Sequence, residues 1–77
     1  MNMHEHDVVV LTRDLPDFKL HAGDVGAVVH VYPDGQAYEV EFVNGAGQML
    51  ALETLGADAV RPLGESDILH IRNVAAA

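Results

Sequence analysis

The stretch that decides the fold is GDVGAVVHVYPDGQAYEVEF, residues 23–42. Gly23 and Gly26 bracket its start, where glycine typically supplies a positive φ or lets two backbones approach closely. Residues 33–35 are Pro-Asp-Gly, a strong turn signal: proline presets φ, aspartate bonds its local backbone and glycine accepts a left-handed conformation. Residues 37–43 alternate between apolar and polar side chains, as a half-buried strand does. The stretch therefore predicts a β-hairpin.

The alternation assigns the hairpin side chains to two faces. In the strand at 37–43, the core face is expected to carry Tyr38, Val40 and Phe42, and the outer face Glu39 and Glu41. In the strand at 25–32, one face is expected to carry Val28, His30 and Tyr32, and the other Ala27, Val29 and Val31. If the register brings His30 beside the glutamates, the expected result is a surface cross-strand pair.

On the N-terminal side of the hairpin, residues 8–11 are Val-Val-Val-Leu and predict a mostly buried strand. Residues 13–22 then form a loop that is long for a connection between two strands. Leu15, Phe18 and Leu20 lie in this loop, and some of them are expected to fold back over the sheet because large apolar groups are costly to leave in water.

On the C-terminal side, residues 49–55 predict a fourth strand with Leu50 and Leu52 in the core. Residues 56–59 suit a single 3₁₀ turn, and 60–62 a short closing strand with a proline at its end. Five short strands separated by turns predict an all-β fold and a small closed barrel, because closure removes the exposed edges of so small a sheet.

The pattern divides the chain into three parts. Residues 1–6 are polar and are expected to be a flexible N-terminal flank, and residues 7–63 form the barrel. Residues 64–77 are a C-terminal tail that is expected to be a short helix, an added strand or disordered. The helix alternative rests on Ser66-Asp67, which has the residue types of an N-terminal cap.

Composition limits the classes of function. The 12 acidic and 4 basic residues give a net charge of −8, so the chain would repel nucleic acid and anionic membrane surfaces. It contains no cysteine, which excludes disulfides, thiolate metal sites and cysteine nucleophiles. The start of the sequence lacks the basic and apolar regions of a signal peptide, and we expect a cytoplasmic location.

Several motifs carry a family resemblance: DLP at 14–16, AGDVGAVV at 22–29, AYEVEF at 37–42 and VRP at 60–62. In these motifs the chain resembles a small bacterial family catalogued as domain of unknown function 4926, over residues 7–63. More distantly, the GDVGAVV element is similar to the start of SH3-like barrels. These include small accessory subunits of photosystem I, ferredoxin–thioredoxin reductase and nitrile hydratase. The resemblance implies a five-stranded SH3-like barrel that docks on another protein.

Metal binding is the alternative that the histidines raise. His4 and His6 flank one residue, and in a strand both imidazoles would share a face and could bind zinc, nickel or copper. Because no third ligand is identifiable, we interpret the segment as a polar flank and assign no metal ligand.

Catalysis is not expected. Asp14, Asp17, Asp24 and Asp34 all fall in predicted turns, where local hydrogen bonding explains an aspartate without enzymology. The single serine, Ser66, lies in the tail, and no glycine loop precedes a helix to hold a phosphate. We therefore assign no catalytic residue and no cofactor.

The expected function is a non-enzymatic protein-interaction module, an accessory or inhibitory small subunit of a larger protein that is basic at the contact. An antitoxin-like partner of a neighbour-encoded protein is a second alternative. A homo-oligomer formed through the tail is also open. The candidate contact residues are Phe18, Leu20, Tyr32, Ile68, Leu69 and Ile71.

Overall fold

The computed structural model describes residues 3–74 and consists of five strands and two short 3₁₀ turns. The strands are β1 Val8–Leu11, β2 Val25–Val31, β3 Ala37–Val43, β4 Met49–Gly56 and β5 Val60–Pro62. The turns are Pro16–Phe18 and Ala57–Ala59. The all-β class, the five strands and the 3₁₀ turn before the last strand are confirmed. The predicted flank and tail include residues 1, 2 and 75–77, which lie outside the described residues.

The five strands form one antiparallel sheet in the order β4-β3-β2-β1-β5. Chain neighbours pair throughout β1 to β4, and β5 returns to pair with β1. β4 and β5 are the edge strands, and no pairing joins them within the described residues, so strand pairing does not close the sheet into the predicted barrel.

The core lies on one face of this sheet and takes residues from all five strands. Tyr38, Val40 and Phe42 are almost fully buried, as the alternation of β3 predicts. The other members of the buried cluster are Met3, Val9, Leu11, Leu20, Val28, Ala51, Leu55, Ala59 and Val60. Met3 belongs to this cluster although the sequence places it in the N-terminal flank.

A β-bulge in β2 makes the predicted faces of that strand wrong beyond Val28. Val28 pairs with Val40 and His30 with Glu39, so Val29 is an extra residue on β2. A bulge reverses the alternation that follows it. As a result His30 lies on the outer face beside Glu39, and Val31 packs against the core.

The predicted core residues of β4 are also wrong. Phe42 pairs with Ala51, and Glu41 with Leu52. Because directly paired residues share a face, Ala51 is buried opposite the large Phe42 and Leu52 lies outside beside Glu41. Leu50 is the extra residue of a second irregularity and is likewise exposed.

The two glycines at the start of the hairpin have the two predicted roles. Gly23 has a φ of +95°, a left-handed conformation that favours glycine. Gly26 faces the core at a position where a side chain would meet Val40 and Phe42.

Within residues 3–74 the structure contains no helix with the length and apolar character of a membrane span.

Candidate interaction surface

The tail leaves the sheet through a turn that an arginine holds. The Leu63 N–H donates to the Val8 carbonyl at 3.1 Å, and the Gly64 N–H donates to Asp67 Oδ2 at 2.6 Å. Arg61 on β5 donates through two nitrogens to the two carboxylate oxygens of Asp67, at 2.7 and 3.1 Å. The described part of the tail beyond this turn contains no helix of more than one residue and no strand. It therefore has neither the helix nor the added strand among the three predicted forms.

A second arginine joins the tail to the loop between β1 and β2. Arg72 donates to Asp24 Oδ1 at 3.0 Å and to Oδ2 at 2.5 Å. The same guanidinium donates to the Lys19 carbonyl at 2.7 Å. The loop at 13–22 and the tail, which contain five of the six predicted contact residues, are thus joined.

Both carboxylates that hold the tail have a lowered pKa. Partial burial raises the pKa of Asp24, but the hydrogen bond from Arg72, the His21 N–H and the charge of Arg72 together lower it below its ordinary value. The hydrogen bond from Arg61, followed by that from the Gly64 N–H, lowers the pKa of Asp67. Each carboxylate is therefore ionised, and each pair is intact, at neutral pH.

The aliphatic residues between these anchors project into solvent. The exposed fraction is 80% for Ile68, 65% for Leu69 and 98% for Ile71. Phe18, which precedes Lys19 in the loop, is 42% exposed. We call these four residues, held around Arg72, the Arg72 surface.

Two of the predicted contact residues lie elsewhere. Leu20 is only 2% exposed and belongs to the core, because the loop turns inward where the Leu15 N–H donates to the Leu20 carbonyl. Its side chain is not on the surface, and we do not retain it as a contact. Tyr32 follows the far end of β2, eight residues and about 25 Å along the strand from Asp24.

Tyr32 belongs to a separate polar group on the outer face. Its hydroxyl donates to Glu39 Oε1 at 3.0 Å, and the Thr54 hydroxyl donates to the same oxygen. The His30 ring lies edge-on to the Tyr32 ring, with 4.9 Å between the ring centroids. The cross-strand pairing of His30 with a glutamate is confirmed, with Glu39 as its partner.

A groove lies beneath the end of the tail. Its volume is about 670 Å³, and it runs between residues 70–74 and the outer surface of β2, β3 and β4. Val25, Val43 and Leu50 form its floor, and Val74 is half-buried against it. The end of the tail therefore borders an apolar part of the sheet that remains partly exposed.

Local hydrogen bonds account for three of the four aspartates that the sequence places in turns. Asp14 accepts from the Ala22 N–H at 2.8 Å, Asp24 from the His21 N–H at 2.7 Å and Asp34 from the Gln36 N–H at 2.9 Å. These side chains stabilise loops, as the sequence predicts.

The N-terminal segment is not the strand that would place the His4 and His6 imidazoles on one face. The His4 N–H donates to Asp7 Oδ2 at 2.8 Å and the Asp7 N–H to the His4 carbonyl, so His4 to Asp7 form a turn, not a strand. Within residues 3–74, no group of three or more histidine or acidic side chains is placed to hold a metal ion.

Comparison with known proteins identifies a family. The family model described as domain of unknown function, DUF4926, matches residues 5–62, which include all five strands. The chain belongs to this family. No curated protein and no solved structure gives a significant match.

Proposed function

We propose that this member of the DUF4926 family is a non-enzymatic protein-interaction module, an accessory or inhibitory small subunit that docks on a larger protein. The observation that carries the proposal is the Arg72 surface, where four large apolar side chains project from segments fixed by charged hydrogen bonds. Exposed apolar groups that are held in place are typical of a docking surface.

Fixing these side chains in advance favours binding. Burying an isoleucine or leucine side chain contributes ~1.5–3 kcal/mol, and ordering a flexible segment on binding reduces that gain. Arg61 and Arg72 hold the tail at both ends of the apolar group, so less ordering remains for the moment of association.

The charge of the chain supports a partner that is basic at the contact. The net charge is −8, and three of the four basic residues, Arg13, Arg61 and Arg72, pair with carboxylates of the same chain. The resulting field would steer the chain toward a cationic surface and away from nucleic acid.

We also infer that the sheet curls into an SH3-like barrel. Its strand order, its long first loop and the 3₁₀ turn before β5 are those of SH3-like folds. A single curled sheet is also consistent with a core to which all five strands contribute. The Arg72 surface includes Phe18 of the long first loop, the part of such barrels that often contacts partners.

Affinity capture with matched variants tests the proposal. Tagged wild-type protein, Ile71→Asp, Ile68→Asp and the control Met49→Asp are incubated with lysate of the organism that encodes the chain, and bound proteins are quantified by mass spectrometry. Met49 is 57% exposed on β4 and lies outside the Arg72 surface. We expect one partner that wild type and Met49→Asp retain and that the two isoleucine variants lose.

Truncation after Leu63 gives an independent test. It removes the tail from the Gly64 turn onward while leaving all five strands, so we expect a folded sheet that associates weakly. A partner retained equally by wild type, the truncated chain and both isoleucine variants would exclude the Arg72 surface as the contact.

A further inference from the structure

A row of in-register residues crosses the outer face of the sheet. Val8 pairs with Ala27, Ala27 with Glu41 and Glu41 with Leu52, on four adjacent strands. With neighbouring strands about 4.8 Å apart, this row is about 14 Å long. Val8 and Leu52 at its ends are 43% and 45% exposed, and the Glu41 carboxylate lies between them.

A second carboxylate lies beside this row. Glu39 is two residues from Glu41 on the same face of β3, a separation of about 7 Å along the strand. Hydrogen bonds from Tyr32 and Thr54 hold its side chain in place. Val29, the bulge residue of β2, adds a further exposed aliphatic group. We call Val8, Ala27, Val29, Glu39, Glu41 and Leu52 the outer sheet patch.

No lysine or arginine balances these two glutamates. Arg13, Arg61 and Arg72 pair with Asp58, Asp67 and Asp24, and Lys19 lies in the loop between β1 and β2. Within residues 3–74, neither glutamate forms an ion pair with a cation. The patch is therefore apolar at its borders and anionic at its centre.

The tail lies over another part of the same face. The tail crosses the sheet beside Val10, Val25 and Val43, and Val10 is buried there although it lies outside the core cluster. Along this path Arg72 pairs with a carboxylate, and Val74 packs over the groove. The segment on this part of the face is thus irregular in backbone and is attached through an arginine, while Ile68, Leu69 and Ile71 point away into solvent.

We propose that the outer sheet patch binds a segment of another protein that carries lysine or arginine flanked by aliphatic residues. The cations face Glu39 and Glu41, and the aliphatic groups contact Val8 and Leu52. A second copy of this chain fits poorly, because it would bring like charges together on a molecule of net charge −8. This inference goes beyond the proposed function, since it concerns a different surface and does not require the Arg72 surface to bind.

A titration of the intact protein with a defined probe tests the proposal. The probe is a synthetic amphipathic peptide of leucine and lysine, compared with the same peptide carrying glutamate in place of lysine. ¹⁵N NMR locates the binding, and calorimetry measures it. We expect the lysine peptide to shift the amide signals of Val8, Ala27, Glu41 and Leu52, and the glutamate peptide to shift none of them.

Matched variants distinguish binding at the outer sheet patch from a general effect of the net charge. Glu39→Gln/Glu41→Gln keeps the side-chain length and one acceptor oxygen at each position, and it should weaken binding of the lysine peptide about fivefold or more, because two exposed ion pairs are lost. Asp34→Asn/Glu65→Gln removes the same charge from exposed turns elsewhere and should weaken it less than about twofold. Leu52→Ser should also weaken binding, because it removes an aliphatic contact.

Three results would overturn the proposal. Equal weakening by the two double variants would mean that the peptide senses only net charge. Amide shifts confined to the tail and the loop at 13–22 would place the binding on the Arg72 surface. A concentration-dependent dimer in ultracentrifugation, abolished by Leu52→Asp, would assign the patch to a second copy of the chain.

Discussion

Adding one methyl group at Gly26 is the most direct test of how β2 packs against β3. A Cβ at this position would lie 2.8 Å from Phe42 Cε1, 2.8 Å from Val40 Cγ1 and 2.9 Å from the Glu41 carbonyl oxygen. Phe42 and Val40 are buried in the core, and the third atom belongs to the backbone of the paired strand. None of the three can move away without disturbing the sheet.

The expected magnitude follows from two opposing effects. Overpacking a well-packed core lowers the free energy of unfolding by ~1–3 kcal/mol. Replacing glycine by alanine also restricts the unfolded chain, which offsets ~0.4–1 kcal/mol of that loss. We therefore expect Gly26→Ala to be ~1–2 kcal/mol less stable than wild type, which corresponds to a fall in Tm of about 5–15 °C for a domain of this size.

Urea denaturation followed by circular dichroism, with calorimetry for Tm, measures the change. Gly45→Ala is the matched control, because a Cβ there meets no atom within 4 Å and Gly45 is not among the residues of positive φ. Its stability should stay within about 0.5 kcal/mol of wild type. If the two variants unfold at the same urea concentration, the close approach of β2 to the core residues of β3 is refuted.

Three further predictions concern the loop and the tail. Leu20→Ala should lower the free energy of unfolding by ~2–4 kcal/mol and Phe18→Ala by less than about 1 kcal/mol, because only the first side chain is buried; denaturant titration compares them. Because the folded-state pKa of Asp24 lies below its ordinary value of 3.8, the ion pair with Arg72 contributes fully above that value and is lost as pH falls through the lower folded value. NMR titration of the Asp24 carboxyl, with the tail methyl signals as the readout of detachment, checks this, and an unshifted midpoint would contradict it. Arg72→Gln should speed proteolysis of the tail and leave the unfolding of the sheet nearly unchanged. The control is Arg13→Gln, which removes the ion pair with Asp58 and should not affect cleavage of the tail. Equal cleavage of the tail in the two variants would contradict its attachment through Arg72.

The sequence predicts the strands and turns well because their signals are local. The Pro-Asp-Gly turn, the left-handed Gly23 and the alternation of β3 each depend on a few adjacent residues. The errors arise where one strand depends on another. Leu50 and Leu52 have the size and polarity of core residues, but the space opposite Ala51 is filled by Phe42. Neither bulge can be read from alternation, because each is defined by the partner strand.

The sequence indicated the apolar residues of the candidate surface, but not the contacts that hold them in place. Ile68, Leu69 and Ile71 stand out in the sequence as an apolar group in a tail that follows the last strand. The contact that fixes them joins Arg72 to Asp24 across 48 residues, and Asp24 already has a sufficient local role in its turn. The spacing of the two residues in the sequence does not predict such a pair, and only the position of the tail in the structure shows it.

The positions of the four basic residues decide where on the molecule the negative charge is neutralised. Arg61 and Arg72 hold the tail, and Arg13 bonds Asp58 in the turn before β5, so three cations are used within the chain. The carboxylates of Asp24 and Asp67 beside the tail consequently have cationic partners, whereas within residues 3–74 those of Glu39 and Glu41 form no ion pair. A partner steered by the net charge would therefore meet an uncompensated, partly apolar sheet face beside the exposed tail. Because such steering is screened within about 8 Å at physiological ionic strength, added salt should slow association more than it speeds dissociation.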